Sequence, residues 1–318
     1  MLISSSVMIR TFSDPFLNIS EKEQLKVAAQ KLMTQILLNT GDPPEWGSNV
    51  SIHASNLETF GLAKHGETTR EAYVLDPDKV LRLTLQDDDP LYIPPSQTVQ
   101  LLNLGNDYGF AIEFYPALTV NINKTSYEVS VTSEKDGLPI WYAKVYAKMY
   151  YYDDGQIKST PQISTITGTD GKCIFSFGIT AEKKILVLVV EYYGIRVTKI
   201  VNLSDTDLNK AYLIGNQLYR APDYNNPVEI MVNKKEGSYV IESVTHFPGK
   251  NIEPTTIAVL AVSSSDLLCA YRLPEEEQLM YSSIKGMRSF PFAYSVERSA
   301  IILDSAYIVR LYLWRMSF

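Results

Sequence analysis

The chain has 318 residues, a formal net charge of −7, 45% hydrophobic and 20% charged residues, and two cysteines. That apolar content excludes a largely disordered chain, and the length gives room for two or three domains, each with its own core. The acidic balance, with no run of Lys or Arg, argues against nucleic acid as a partner, and two cysteines exclude a disulfide-stapled scaffold. The longest apolar runs, 185–190 and 257–262, are strand-sized, far below the roughly 20 residues of a membrane helix. The opening MLISSSVMIRTF lacks a cationic start followed by an apolar core, so it does not read as a secretory signal. The chain is therefore expected to be either soluble or anchored by a segment upstream of Met1.

The first element is an amphipathic helix. Ser20 and Glu23 fit a capping box at its start. Leu25, Ala28, Ala29, Leu32, Met33 and Ile36 then recur at helical spacing, and Gly41 supplies the stop. Such a stripe needs a surface to cover, and a downstream β-sheet is the expected one. The prolines of GDPPEWG at 41–47 end the helix. A short helix is expected over 76–83, with Pro77 in its first turn, and another helical turn over 96–102. Between them, 87–95 is rich in acids and prolines and reads as loop.

From Phe110 onward the pattern is strand. Phe110, Ile112 and Phe114 alternate with Ala111, Glu113 and Tyr115, and Leu118, Val120 and Ile122 continue after Pro116. Strands are expected at 127–131, 143–151, 173–177, 185–191 and 196–201. The turns Asp136-Gly137, Asp154-Gly155 and Asp170-Gly171 separate several of them. Short strands at this spacing imply a β-sandwich. The last third continues with strands at 229–233, 239–245, 257–263, 267–272, 299–303 and 307–314.

Four segments in order carry a resemblance: GDPPEWG at 41–47, FGLA at 60–63, YVLDPDKVLRL at 73–83, and LLNLG at 101–105 running on to FAIEFYPAL at 110–118. The chain resembles archaeal extracytoplasmic pilin-like proteins over about its first 120 residues and again over its closing strands at 295–314. That resemblance implies a membrane helix continuing into a stalk helix, followed by a β-sheet core. The membrane segment is missing from this sequence, and Met1 falls about where the stalk would begin. A second resemblance, to immunoglobulin-like or prealbumin-like spacer domains, covers 126–203. It rests on DGLPI at 136–140, AKVY at 143–146 and TGTDGKCIF at 167–175. It implies a fold, and a fold alone assigns no function.

Chemical motifs are sparse. His53, His65 and His246 show neither H-x-H nor H-E-x-x-H spacing, and there is no G-x-S-x-G, GxGxxG or GxxxxGK[ST]. Cys173 and Cys269 sit in strand patterns and read as buried free thiols in preference to a disulfide or a catalytic thiol. Asp87-Asp88-Asp89 reads as a solvated loop before it reads as a calcium site. Glu275-Glu276-Glu277 reads as a charged loop or helix start. Tyr150, Tyr152 and Tyr192 are candidate interaction aromatics, although strand alternation turns about half of such rings inward. Asn18, Asn49, Asn123 and Asn202 each lie in an N-x-[ST] sequon and are candidate glycosylation sites, in keeping with export.

These readings give a mainly β protein with an N-terminal amphipathic α-helix. Residues 1–125 form a stalk helix and pilin-like α+β core, completed by 291–318; 126–203 form an immunoglobulin-like β-sandwich; 204–290 form further β-structure or a second β-domain. Contact between the first and last segments separates this inserted arrangement from three modules in tandem. The expected function is a non-enzymatic cell-surface structural or interaction protein of archaeal type, extracellular, without cofactor or metal. Its expected partners are neighbouring surface or filament subunits, with membrane contact only through the missing N-terminal segment. A glycan-binding or adhesive module using tyrosine-rich sheet faces is the alternative, and a carboxylate-dependent hydrolase ranks last.

Overall fold

The computed structural model describes residues 3–66, 73–154, 156–204, 209–215, 217–220, 228–229, 235–236, 239–245, 256–262, 267–272, 279–284 and 293–316. The chain is mainly β, with 43% strand and 16% helix. Helix α1 (Ile3–Leu38) has 36 residues, about 54 Å at 1.5 Å per residue. Its stripe is buried at Ala29, Leu32, Met33, Ile36 and Leu37. The helix starts far upstream of Ser20, so the capping box expected from Ser20 and Glu23 does not open it. Carbonyls of the preceding turn already serve the amides that such a box would satisfy. The end is as expected: the Asn39 side chain accepts the Gly41 N–H at 3.0 Å, and Gly41 turns the chain at φ +77°.

Two short helices follow, α2 (Pro77–Arg82) and α3 (Pro95–Leu101). The Asp76 carboxylate caps α2 by accepting the N–H groups of Asp78 and Lys79, and Pro77 occupies the first turn, where its missing N–H costs nothing.

The strands begin with β1 (Tyr108–Pro116), β2 (Leu118–Ile122), β3 (Glu128–Ser133), β4 (Lys144–Asp153), β5 (Gln156–Ser159), β6 (Ile163–Ile166), β7 (Lys172–Ile174), β8 (Lys184–Tyr192) and β9 (Ile195–Asn202). One antiparallel sheet runs β2-β3-β7 and a second β5-β4-β8-β9, with β6 also on β4. Between them Val129, Val131, Val145, Ala147, Met149, Leu186 and Leu188 form one core. The opposite face of the second sheet sends Tyr150, Ile185, Val187 and Ile200 into the core beneath α1. Strand β8 is thus buried on both sides, which is why ILVLVV at 185–190 is continuous instead of alternating. The strand expected over 173–177 ends at Ile174, and Phe175 and Phe177 stack beyond it with centroids 6.1 Å apart.

Next come β10 (Asn209–Ile214), β11 (Gln217–Arg220), β12 (Val228–Glu229), β13 (Lys235–Glu236), β14 (Tyr239–Thr245), β15 (Thr256–Val262) and β16 (Leu267–Tyr271). They form a sheet of order β12-β11-β10-β16-β15-β14-β13, in which β10 and β16 run parallel. The chain then returns with β17 (Leu279–Ser282), β18 (Tyr294–Ile302) and β19 (Ser305–Arg315) to complete an antiparallel sheet of order β17-β1-β19-β18. β1 pairs with the last strand from Tyr108↔Arg315 to Pro116↔Tyr307. The first and last segments are therefore neighbours, and everything from β2 to β16 leaves and re-enters this sheet. α1 lies against β18 and β19, with Phe110, Ile112, Phe114, Val309, Leu311 and Leu313 beneath it.

The expected alternation of β1 gives way to burial on both faces. On the face away from α1, Glu113 is buried with Arg310 Nη1 at 3.5 Å and accepts the Tyr312 hydroxyl at 3.1 Å. Arg310 also lies 5.0 Å from the Tyr115 ring centre and pairs with Glu297. A charged residue fills a buried position here because two neighbours, Arg310 and Tyr312, satisfy it.

Candidate functional site

The motif segments at 41–47, 60–63 and 73–83 come together around the fully buried ring of Trp46. Lys79 Nζ lies 5.7 Å from the ring centre and the Arg82 guanidinium 5.5 Å, so two cations flank one indole. Lys79 donates to the carbonyls of Thr40 at 2.8 Å and Ala63 at 2.9 Å. Arg82 donates to the carbonyls of Leu91 at 2.8 Å, Ile52 at 2.6 Å and Trp46. Carbonyls of an irregular loop would otherwise be buried without partners, so these cations serve as its cross-links. Burial pulls the Lys79 ammonium down to about 8, against the attraction of Asp76 and Glu45, and the Arg82 guanidinium down to about 10. Neither side chain is exposed. This cluster holds structure and has no access for a substrate. Asp78, on the same helix, is buried against Arg272, with Oδ1 3.2 Å from Nε. Desolvation pushes its carboxyl up to about 6 in spite of Arg272.

The candidate aromatics separate. Tyr150 is 4% exposed and packs in the core beneath α1, with Lys148 Nζ 4.9 Å from its ring centre, so it has no face for an external partner. The place assigned to Tyr150 is corrected accordingly: β4 turns its ring into the core instead of toward solvent. Tyr152 is half-buried and lines a cleft of about 700 Å³ together with Tyr151, Asp153, Asp154, Ile179 and Lys183. Lys158 holds Asp153 at 2.7 Å in an exposed pair. Two phenols, carboxylates and an ammonium around an open cleft can stack on and hydrogen-bond to a polyhydroxylated ligand. Tyr192 is half-buried and meets Tyr193 edge-on at 4.7 Å.

In three sequons the Asn carboxamide oxygen accepts the backbone N–H of the sequon Ser or Thr: Asn49 from Ser51 at 3.0 Å, Asn123 from Thr125 at 2.9 Å and Asn202 from Ser204 at 2.9 Å. Asn49 and Asn123 are exposed and Asn202 is half-buried. Asn18 lies within α1, and its side chain is outside the described ones.

Cys173 is a buried free thiol, and burial pushes it up to about 11, which leaves almost no thiolate at neutral pH. The side chain of Cys269 lies outside the described residues, as do His246 and 275–277. His53 Nδ1 is 3.0 Å from the Pro90 carbonyl, and His65 is 3.8 Å from Glu45, both at the surface. In the acidic loop Asp89 accepts the Leu91 N–H at 2.8 Å, which makes it a turn residue. Among the described residues no group of three His, Cys, Asp or Glu side chains is placed to hold a metal, and no helix is long and apolar enough to cross a membrane.

Two groups escaped sequence reading. Lys79 and Arg82 sit at inward positions of α2, where a helical pattern reads Val80 and Leu83 as the core and the cations as surface. The exposed Leu138, Trp141 and Tyr142 have a signal in the sequence, an apolar run immediately after the Asp136-Gly137 turn. Comparison with known protein families, with curated proteins and with solved structures finds no match to this chain.

Proposed function

We propose that this chain is a non-enzymatic, extracytoplasmic surface protein of the archaeal pilin-like type, either a filament component or a membrane-tethered β-domain protein. The observation that carries the reading is the packing of α1 on an antiparallel sheet whose central strands are β1 and the C-terminal β19. That arrangement suits a stalk helix that docks on a core closed by the chain's last strands, as the four ordered motifs lead one to expect. The two facing sheets made by β2 to β9 support the immunoglobulin-like or prealbumin-like reading of 126–203. In this account the core expected from 1–125 and 291–318 gives up β2 to the inserted domain expected over 126–203, because β2 pairs with β3, and gains β17 from the further β-unit expected over 204–290, because β17 pairs with β1. Exposed sequons at Asn49 and Asn123 favour glycosylation outside the cell. Neighbouring subunits are the partners, and the anchor is a segment preceding Met1. Protease shaving of intact host cells tests this reading. Release of peptides from 126–203 without lysis supports it, and complete protection until lysis contradicts it.

The cleft at Tyr152 favours a second reading, a glycan-binding module. Titration with host-surface oligosaccharides followed by tyrosine difference absorbance tests it, with Tyr152→Ala expected to abolish the signal.

A further inference from the structure

Strand pairing gathers a set of exposed side chains at one end of the sheet β5-β4-β8-β9. Lys144, the first residue of β4, faces both Glu191 near the end of β8 and Ile166 at the end of β6. β8 turns into β9 with Tyr192 opposite Ile195. The Tyr142 N–H donates to the Thr167 carbonyl at 3.1 Å, which ties the loop before β4 to the end of β6. Leu138 precedes Trp141 by three residues, so the two lie within about 11 Å along the chain. Six large side chains of this end face solvent: Leu138 at 61%, Trp141 at 53%, Tyr142 at 75%, Ile166 at 57%, Tyr193 at 91% and Ile195 at 38% exposure. Tyr142 and Tyr193 also hold left-handed backbone, φ 57° and 46°, a conformation that bulky residues rarely adopt.

We propose that this end of the sheet is a membrane-interface tip, which inserts Leu138, Trp141 and Tyr142 into the headgroup boundary of a bilayer with zwitterionic headgroups. Three observations select that partner. Scattered exposed apolar residues are ordinary, but six on adjacent elements mark an interaction surface. They stand on a loop, a strand end and a turn, so they project outward and give no walls to enclose a small ligand. The charged residues beside them balance, with Lys135, Lys144 and Arg196 against Glu134, Asp136 and Glu191, and Arg196 Nε bonds Glu191 at 3.0 Å. No charged partner is therefore selected. Tyr and Trp rings with one apolar end and one wet end suit the bilayer interface, where Leu and Ile reach the acyl boundary. Insertion by the tip does not depend on whether the chain is tethered, so it stands or falls apart from the surface-protein reading.

The test mixes the full chain with phosphatidylcholine vesicles and follows co-sedimentation and tryptophan emission. Trp46 and Trp314 are buried, so Trp141 is the exposed member of the three tryptophans. Vesicles should shift its emission to the blue, and raised salt should leave binding unchanged. The triple variant Leu138→Ser/Trp141→Ser/Tyr142→Ser should lose about tenfold or more in partitioning. Ile174→Ser, an exposed position on β7, should retain full binding. Failure to co-sediment, equal binding by the triple variant, or binding restricted to anionic vesicles overturns the proposal. A blue shift that depends on protein concentration without vesicles, with a doubled mass, also overturns it and assigns the tip to a second copy of the chain.

Discussion

Leu32→Asp probes the contact between α1 and its sheet. Leu32 is 5% exposed, between Ala29 and Ile36 on the buried stripe. Removing the leucine from the core forfeits about 2 kcal/mol of transfer free energy. The new carboxyl cannot ionise there, and holding it neutral at pH 7 from an ordinary value of about 4 costs about 4 kcal/mol more. The sum, about 6 kcal/mol, is comparable with the total stability of many domains, about 5–15 kcal/mol. Val27→Asp is the control, on the same helix but 48% exposed, and should change stability by about 0.5 kcal/mol or less. Urea denaturation followed by emission from Trp46, which lies in the same core, reports both variants. The Leu32 variant should unfold at far lower urea or be unfolded without it. Equal midpoints for the two variants would refute the docking of α1 on the sheet and make the helix a free stalk.

Further expectations concern the loops and buried groups. Because the folded Asp78 carboxyl titrates near 6 instead of 3.8, the folded state holds its proton more tightly than the unfolded chain. Asp78 thus adds stability as pH falls from about 6 toward 4, and Asp78→Asn should gain about 3 kcal/mol on the parent between pH 4 and pH 7. Parallel urea-midpoint curves against pH would contradict this. In Gly61→Ala the new Cβ would collide with the Asn39 carbonyl oxygen, so thermal melting should show a loss of about 1–3 kcal/mol or more, and an unchanged melt would contradict the packing of the FGLA segment. Cys173 should resist iodoacetamide at pH 7.4 in the native protein and react after unfolding, as read by peptide mass; rapid native labelling would count against its burial. In protein purified from its host, glycopeptide mapping should find modified Asn49 or Asn123, and unmodified peptides at both would weaken the case for export.

Local order was legible in the sequence wherever one period governed one face. The stripe from Leu25 to Ile36, Pro77 at the start of α2 and the turns at Asp136-Gly137 and Asp170-Gly171 all act within a few residues, while Gly155 lies outside the described residues. Long-range pairing was only partly legible. β17 enters beside β1 because Leu279 pairs with Phe114 and Tyr281 with Ile112, and nothing near residue 279 announces that partner. Composition also misled at inward cations and rings: Lys79 and Arg82 are buried by carbonyls more than 30 positions away as well as nearby ones, and Tyr150 lies in a core that gathers segments from both ends of the chain. The capping box at Ser20 failed for the opposite reason, since a sound local signal lay inside a longer helix.

The central claim is that this chain is the extracytoplasmic part of a tethered or filament-forming surface protein. Its most direct test is the intact mass and N-terminal sequence of the native protein in separated membrane and soluble fractions of the host. The account predicts a membrane-bound species, or a processed filament subunit, carrying an apolar segment ahead of Met1. A soluble intracellular chain that starts at Met1 would contradict it.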